Sequence, residues 1–82
     1  MRIRFAFDCY LEDFPDIHQF ETWVDDFPCR LYNGDMIEDA ILGEGYTKIV
    51  PKHTLYLPIV DSNQFDIDEK GIYQYVWLTV EG

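Results

Sequence analysis

The chain opens with RIRFAFDCY, in which Ile3, Phe5, Phe7 and Cys9 alternate with Arg2, Arg4, Asp8 and Tyr10. A period of two predicts a half-buried strand. The period then changes. In DFPDIHQFETWVDDF, Ile17, Phe20, Val24 and Phe27 recur at three- and four-residue spacing, and Trp23 widens the stripe. That spacing predicts an amphipathic helix, with Asp13 or Asp16 as cap and Pro15 in the first turn. Asp16 with Gln19 fits a capping box, and Pro28 ends the helix. Glu21, Asp25 and Asp26 fall outside its apolar arc. Asp25 and Asp26 sit at its C-terminal end, where the helix dipole disfavours them by roughly 0.3–1 kcal/mol each.

CRLYNGDMIEDAILGEG supports two readings. Asn33-Gly34 is a type I′ hairpin signal. Asp35 as N-cap, the Met36/Ile37/Ala40/Ile41 spacing and Gly43 past the end describe a short helix over residues 35–42, which Ala40 and the Gly43 stop favour. The C-terminal half reads as sheet. YTKIV and HTLYLPIV are strand-like runs, and Pro58 predicts an edge position or a bulge for the second. QFDI and IYQYVWLTV flank DEKG, where Gly71 suits the positive-φ position of a hairpin. The last run is apolar on both sides, which predicts a strand covered on both faces. The elements add up to an α+β fold: a small antiparallel sheet of four to five strands, with one or two helices packed on one face.

Eighty-two residues form one domain, 1–82, without repeats or a linker. Scaling with mass predicts about 5,000 Å² of folded surface from ~14,000 Å² unfolded. Hydrophobic residues at 48% and aromatics at 17% favour a folded core over disorder. No run approaches the ~18 apolar residues of a membrane span, and Asp8 interrupts the only leader-like segment. Cys9 and Cys29 are too few for a disulfide framework and read as reduced thiols. The expected location is therefore the cytoplasm.

Charge changes the functional picture more than it changes the fold. The net charge is −10, and only six Lys and Arg are present to neutralise phosphates. Direct binding to nucleic acid or an anionic membrane is therefore not expected. The excess is uneven: residues 5–44 hold eleven acids against Arg30 alone, whereas residues 45–82 hold five acids and three lysines. Uniform solubilising charge does not require that asymmetry.

The sequence predicts no enzyme, cofactor or metal. The segment from Asp61 to Ile72 has oxygens at the first and third positions of a calcium loop. It has Phe65 at the fifth, Asp66 for the glycine at the sixth, and Ile72 for the glutamate at the twelfth. His18, His53, Cys9 and Cys29 lack zinc-ligand spacing. No phosphate-binding glycine loop or nucleophile elbow occurs. Tyr73, Tyr75 and Trp77 alternate as base-stacking rows do, but only Lys70 is basic nearby, so the rings are expected to pack beneath the helix. They are also the second candidate interface, through which an adaptor domain or homodimer would associate.

Asp13, Asp16, Glu21, Asp25, Asp26, Asp35, Glu38 and Asp39 are the candidate partner-binding residues. Helical carboxylates four residues apart are spaced ~6 Å along the axis, comparable to charge steps on a nucleic-acid backbone. In size, acidity and aromatic content the chain resembles two groups of small inhibitors. One is the phage-encoded nucleic-acid mimics that block restriction, CRISPR or DNA-repair enzymes. The other is the immunity proteins and antitoxins that neutralise nuclease toxins. The resemblance is of class and transfers no residue. It implies a non-enzymatic inhibitor whose partner is a basic nucleic-acid-binding protein: a nuclease, a restriction or CRISPR effector, or a toxin.

Overall fold

The opening alternation forms β1 (Ile3–Phe7), which lies inside the sheet. A computed structural model of the chain describes residues 1–81. After β1 come a 3-10 turn (Ile17–Gln19), β2 (Glu21–Val24), α1 (Asp39–Leu42), α2 (Glu44–Ile49), β3 (Leu57–Asp68) and β4 (Gly71–Glu81). The strand order is β2-β1-β4-β3. The fold is α+β with four strands, as expected, and two of its three strand pairings are antiparallel. The third, β1 with β4, is parallel, with Arg4 beside Tyr75 and Ala6 beside Trp77. All of residues 8–70 lie between these two strands, enough chain for the crossover that parallel pairing requires.

One face of the sheet holds the core. Ile3, Phe5 and Phe7 of β1, Val60 of β3, and Val76 and Leu78 of β4 meet Ile17, Phe20, Leu31, Leu42, Tyr46 and Val50 from the connecting segments. Each large apolar side chain buried there stabilises the fold by about 1.5–3 kcal/mol. Phe7 stacks on Tyr46 with centroids 5.6 Å apart, and Phe20 meets both rings edge-on. The accessible surface of 5243 Å² is close to the scaling expectation.

The helix expected from Asp13 or Asp16 to Phe27 does not form. One 3-10 turn gives way at Phe20 to β2, whose Thr22 lies opposite Phe5 and Trp23 opposite Arg4. Thr22, Trp23 and Val24 favour a pleated surface, and β1 offers its edge to pair with. Asp25 and Asp26 consequently follow a strand, and the dipole penalty assigned to them does not apply. YTKIV reverses the other way. It lies mostly in α2, because Tyr46, Ile49 and Val50 at helical spacing turn one side to the core.

The Asn33-Gly34 signal is realised as a turn. Gly34 has φ 95°, Asp35 N–H donates to the Tyr32 carbonyl, and the Asp35 carboxylate accepts from Tyr32 N–H at 2.8 Å. The chain then runs beside β3, with Val60 N–H donating to the Asp35 carbonyl and Ile37 N–H to the Pro58 carbonyl. The predicted 35–42 helix shrinks to Asp39–Leu42 and stops at Gly43, φ 79°. Pro58 lies on an edge strand that has a register shift between Val60 and Ser62, and the β3–β4 hairpin turns through Gly71 at φ 113°, both as expected.

Candidate functional site

Three of the eight nominated carboxylates converge. Glu38 and Asp39 line a cleft where α1 begins, beside Tyr46 of α2 and Tyr56, which precedes β3. The Tyr56 hydroxyl donates to Asp13 Oδ2 at 3.3 Å, and the Tyr56 ring meets Phe14 edge-on at 5.3 Å, drawing the loop after β1 to the same place. Asp39 sits close enough to help raise the Tyr46 phenol to about 12, although burial is the larger cause.

The other five are distributed differently. Asp35 is engaged in its turn. Glu21 makes a two-point ion pair with Arg4, at 2.7 and 2.8 Å, which holds the guanidinium's pKa above its ordinary value. Asp25 belongs to a second depression, of about 410 Å³, lined by Arg2, Trp23, Asp68, Glu69 and Lys70. Asp16 precedes the 3-10 turn and Asp26 follows β2, both exposed. The eight therefore do not form the helical ladder that their spacing predicts.

Tyr73, Tyr75 and Trp77 occupy the sheet face opposite the core, and no helix covers them as expected. Arginine covers Tyr73 and Tyr75. Arg4 lies over Tyr75 at 4.5 Å and over Trp23 at 5.8 Å; Arg2 lies 5.4 Å from Trp23 and 5.5 Å from Tyr73. Tyr75 and Trp77 stack at 4.0 Å with nearly parallel planes. Parallel pairing of two alternating strands produces this ladder, since it puts the arginine side of β1 beside the aromatic side of β4. The signal was present in RIRF and YQYVW, but only the pairing reveals it.

Asp68 anchors the far end of the ladder. Its carboxylate accepts two bonds from Arg2, at 2.6 and 3.0 Å, and Arg2 also donates to the Gly71 carbonyl at 2.9 Å. The Arg2 hydrogen bond holds the Asp68 carboxyl down at about 2. Both arginines are thus consumed internally, by a carboxylate and by rings. This face therefore offers an incoming phosphate little free positive charge.

Among the described residues, no three His, Cys, Asp or Glu side chains gather as a metal site would require. Cys9 and Cys29 are free thiols, and burial pushes Cys9 up from its ordinary pKa. His18 is exposed, tilted against Tyr10 at 5.8 Å. No described helix is long and apolar enough to cross a membrane. Compared with family models, curated proteins and solved structures, the chain matches none.

Proposed function

We propose that this protein is a non-enzymatic acidic inhibitor that binds the basic nucleic-acid site of a target protein, acting in the cytoplasm. One observation carries the reading. Among the described residues only Glu21 and Asp68 of the sixteen acidic side chains are in ion pairs, so fourteen carry charge that no ion pair there neutralises. Such a surface attracts a groove lined with Lys and Arg and speeds encounter with it at low salt. The fold supports the reading in a second way. Arg2 and Arg4 are each engaged by a carboxylate and by aromatic rings, so neither is free to draw in a phosphate. A phage anti-defence protein, such as an anti-CRISPR or anti-restriction factor, is the leading form of this function. An immunity protein or antitoxin that caps a nuclease toxin is the alternative form.

The test is capture from cell lysate at ~50 and ~500 mM salt, with a variant carrying Asp25→Lys, Asp26→Lys, Glu38→Lys and Asp39→Lys beside the unmodified protein. Across that range the Debye length shrinks from ~14 to ~4 Å. The expected result is a nucleic-acid-binding protein that is retained at low salt, released by competing oligonucleotide and lost with the folded variant. Capture that survives both the oligonucleotide and the four reversals refutes the proposal. A second reading rests on Phe65, Ile67 and Ile72, large apolar residues left exposed on one face at the turn end of the β3–β4 hairpin. They favour an adaptor domain or homodimer that associates through the sheet, which would instead persist at high salt.

A further inference from the structure

Tyr46 is the one buried side chain among the described residues whose polar atom has no hydrogen-bond partner. The residue is 1% exposed, and its ring is fixed between Phe7 and Phe20. An orphaned buried hydroxyl is costly, so its persistence calls for an explanation. Tyr46 also lines the cleft described above, a cavity of about 420 Å³. That volume falls within the ~300–1,000 Å³ range of ligand sites.

The chemistry of the walls is specific. Ile37, Val50 and Pro58, all buried, give the interior an apolar lining. Glu38 and half-buried Asp39 place two carboxylates on it, and Asp13, held by Tyr56, adds a third beside it. Lys52 is the only cation on the wall. A complementary group therefore has a slim apolar stem, a positive charge and several N–H donors. The carboxylates would take most of the donors, and one would reach the Tyr46 oxygen, which is closed to solvent here, as the side chains around it give way.

We propose that this cavity receives an arginine side chain of the basic partner protein. The inference rests on the function proposed above and names the contact that would anchor it. Arginine fits better than lysine, because its guanidinium is planar, weakly hydrated and has five donors for the phenol and the carboxylates. Such desolvated arginine anchors dominate binding at protein interfaces.

The test uses blocked arginine (Nα-acetyl-arginine methylamide) titrated into the full chain, followed by amide NMR. Blocked citrulline, which has the same shape without the charge, and blocked lysine are the comparisons. Saturable millimolar binding is expected, with shifts at Ile37, Glu38, Asp39, Tyr46 and Val50, roughly tenfold tighter than for citrulline. Asp39→Asn should weaken it about tenfold. Tyr46→Phe keeps both ring contacts and loses only the hydroxyl, so it should fold fully and still bind several-fold more weakly. Equal responses to arginine and citrulline would overturn the assignment, as would shifts centred on Asp25 and Asp68, or a Tyr46→Phe variant with undiminished affinity. Tighter binding of lysine than of arginine would overturn it too. The titration needs no knowledge of the target, so it can fail while nucleic-acid-competed capture succeeds, and the reverse.

Discussion

Gln74 is the sharpest test of how this fold is held together. It is fully buried on β4, on the side that carries Val76 and Leu78. Its Oε1 accepts from Leu31 N–H at 2.9 Å, and its Nε2 donates to the Leu31 carbonyl at 2.7 Å and to Asn63 Oδ1 at 3.1 Å. The amide thus does for Leu31 what a neighbouring strand would do, and ties down the segment that runs on beside β3. Gln74→Met preserves volume and removes all three bonds, so little of its effect comes from a cavity. Leaving Leu31 N–H and C=O unpaired costs about 1–3 kcal/mol each, and the apolar gain from Met offsets part of that. The net loss should be ~2–4 kcal/mol, against a total stability on the order of 4–12 kcal/mol for this length. Urea unfolding followed by tryptophan fluorescence reads it directly. With a slope near ~1 kcal/mol/M, the midpoint should fall by ~2 M or more. Asn63→Ala keeps both Leu31 bonds, removes the third and the exposed Asn63 Nδ2–Asn33 Oδ1 bond, and should cost about 1–2 kcal/mol. A Gln74→Met midpoint within ~0.5 M of the original, at unchanged slope, would mean that the clamp does not hold the segment.

Two further outcomes follow from the arginine–aromatic face. Trp77→Ala should cost about 1–2 kcal/mol, the worth of one stacked pair plus partial burial, well short of the ~3–5 kcal/mol of a core ring; a larger loss in the same urea assay would mean that the ring is enclosed. The Arg2 hydrogen bond holds the Asp68 carboxyl down at about 2, below the ordinary 3.8, so the pairing contributes stability that is complete above about pH 4 and is lost as pH falls towards 2. Asp68→Asn should flatten that limb of the acid unfolding curve relative to the unmodified protein, and an identical acid limb would assign the transition to other carboxylates.

The parts of the fold legible in the sequence were those in which one signal stood alone. β1 alternates without competition, Gly71 marks its hairpin, and Pro58 marks an edge. Residues 17–27 carried two signals at once. Ile17, Phe20, Val24 and Phe27 fit a period near 3.6, whereas Phe20, Thr22 and Val24 fit a period of two, and residue types alone do not rank them. The decision comes from β1, whose edge pairs with Glu21–Val24 and whose core face already needs Phe20 beside Phe7. Tyr46–Val50 was lost in the opposite direction. Its β-branched residues look strand-like, but buried Leu42, Tyr46 and Val50 face the core from two short helices hinged at Gly43.

The same asymmetry governs the candidate site. Net charge and its concentration before residue 45 are properties of the sequence, so an acidic partner-binding surface could be argued without a structure. Its arrangement could not, because the ladder geometry depended on a helix that the sheet displaces. What replaces it depends on contacts between residues far apart in the chain. Asp13 reaches the cleft through Tyr56, forty-three positions later, and Arg2 meets Asp68 across sixty-six. Neither spacing has a period. The pairing of β1 with β4 also holds Arg2 and Arg4 against Asp68, Glu21 and the aromatic rings, so two bases and two acids leave the free charge together. The unpaired side chains, fourteen acids and four bases among the described residues, therefore still carry the full net charge of −10. For the proposed basic partner that charge sets the expected salt dependence, and the question of specificity falls on the few carboxylates, Glu38 and Asp39 foremost, that stand beside an apolar cavity.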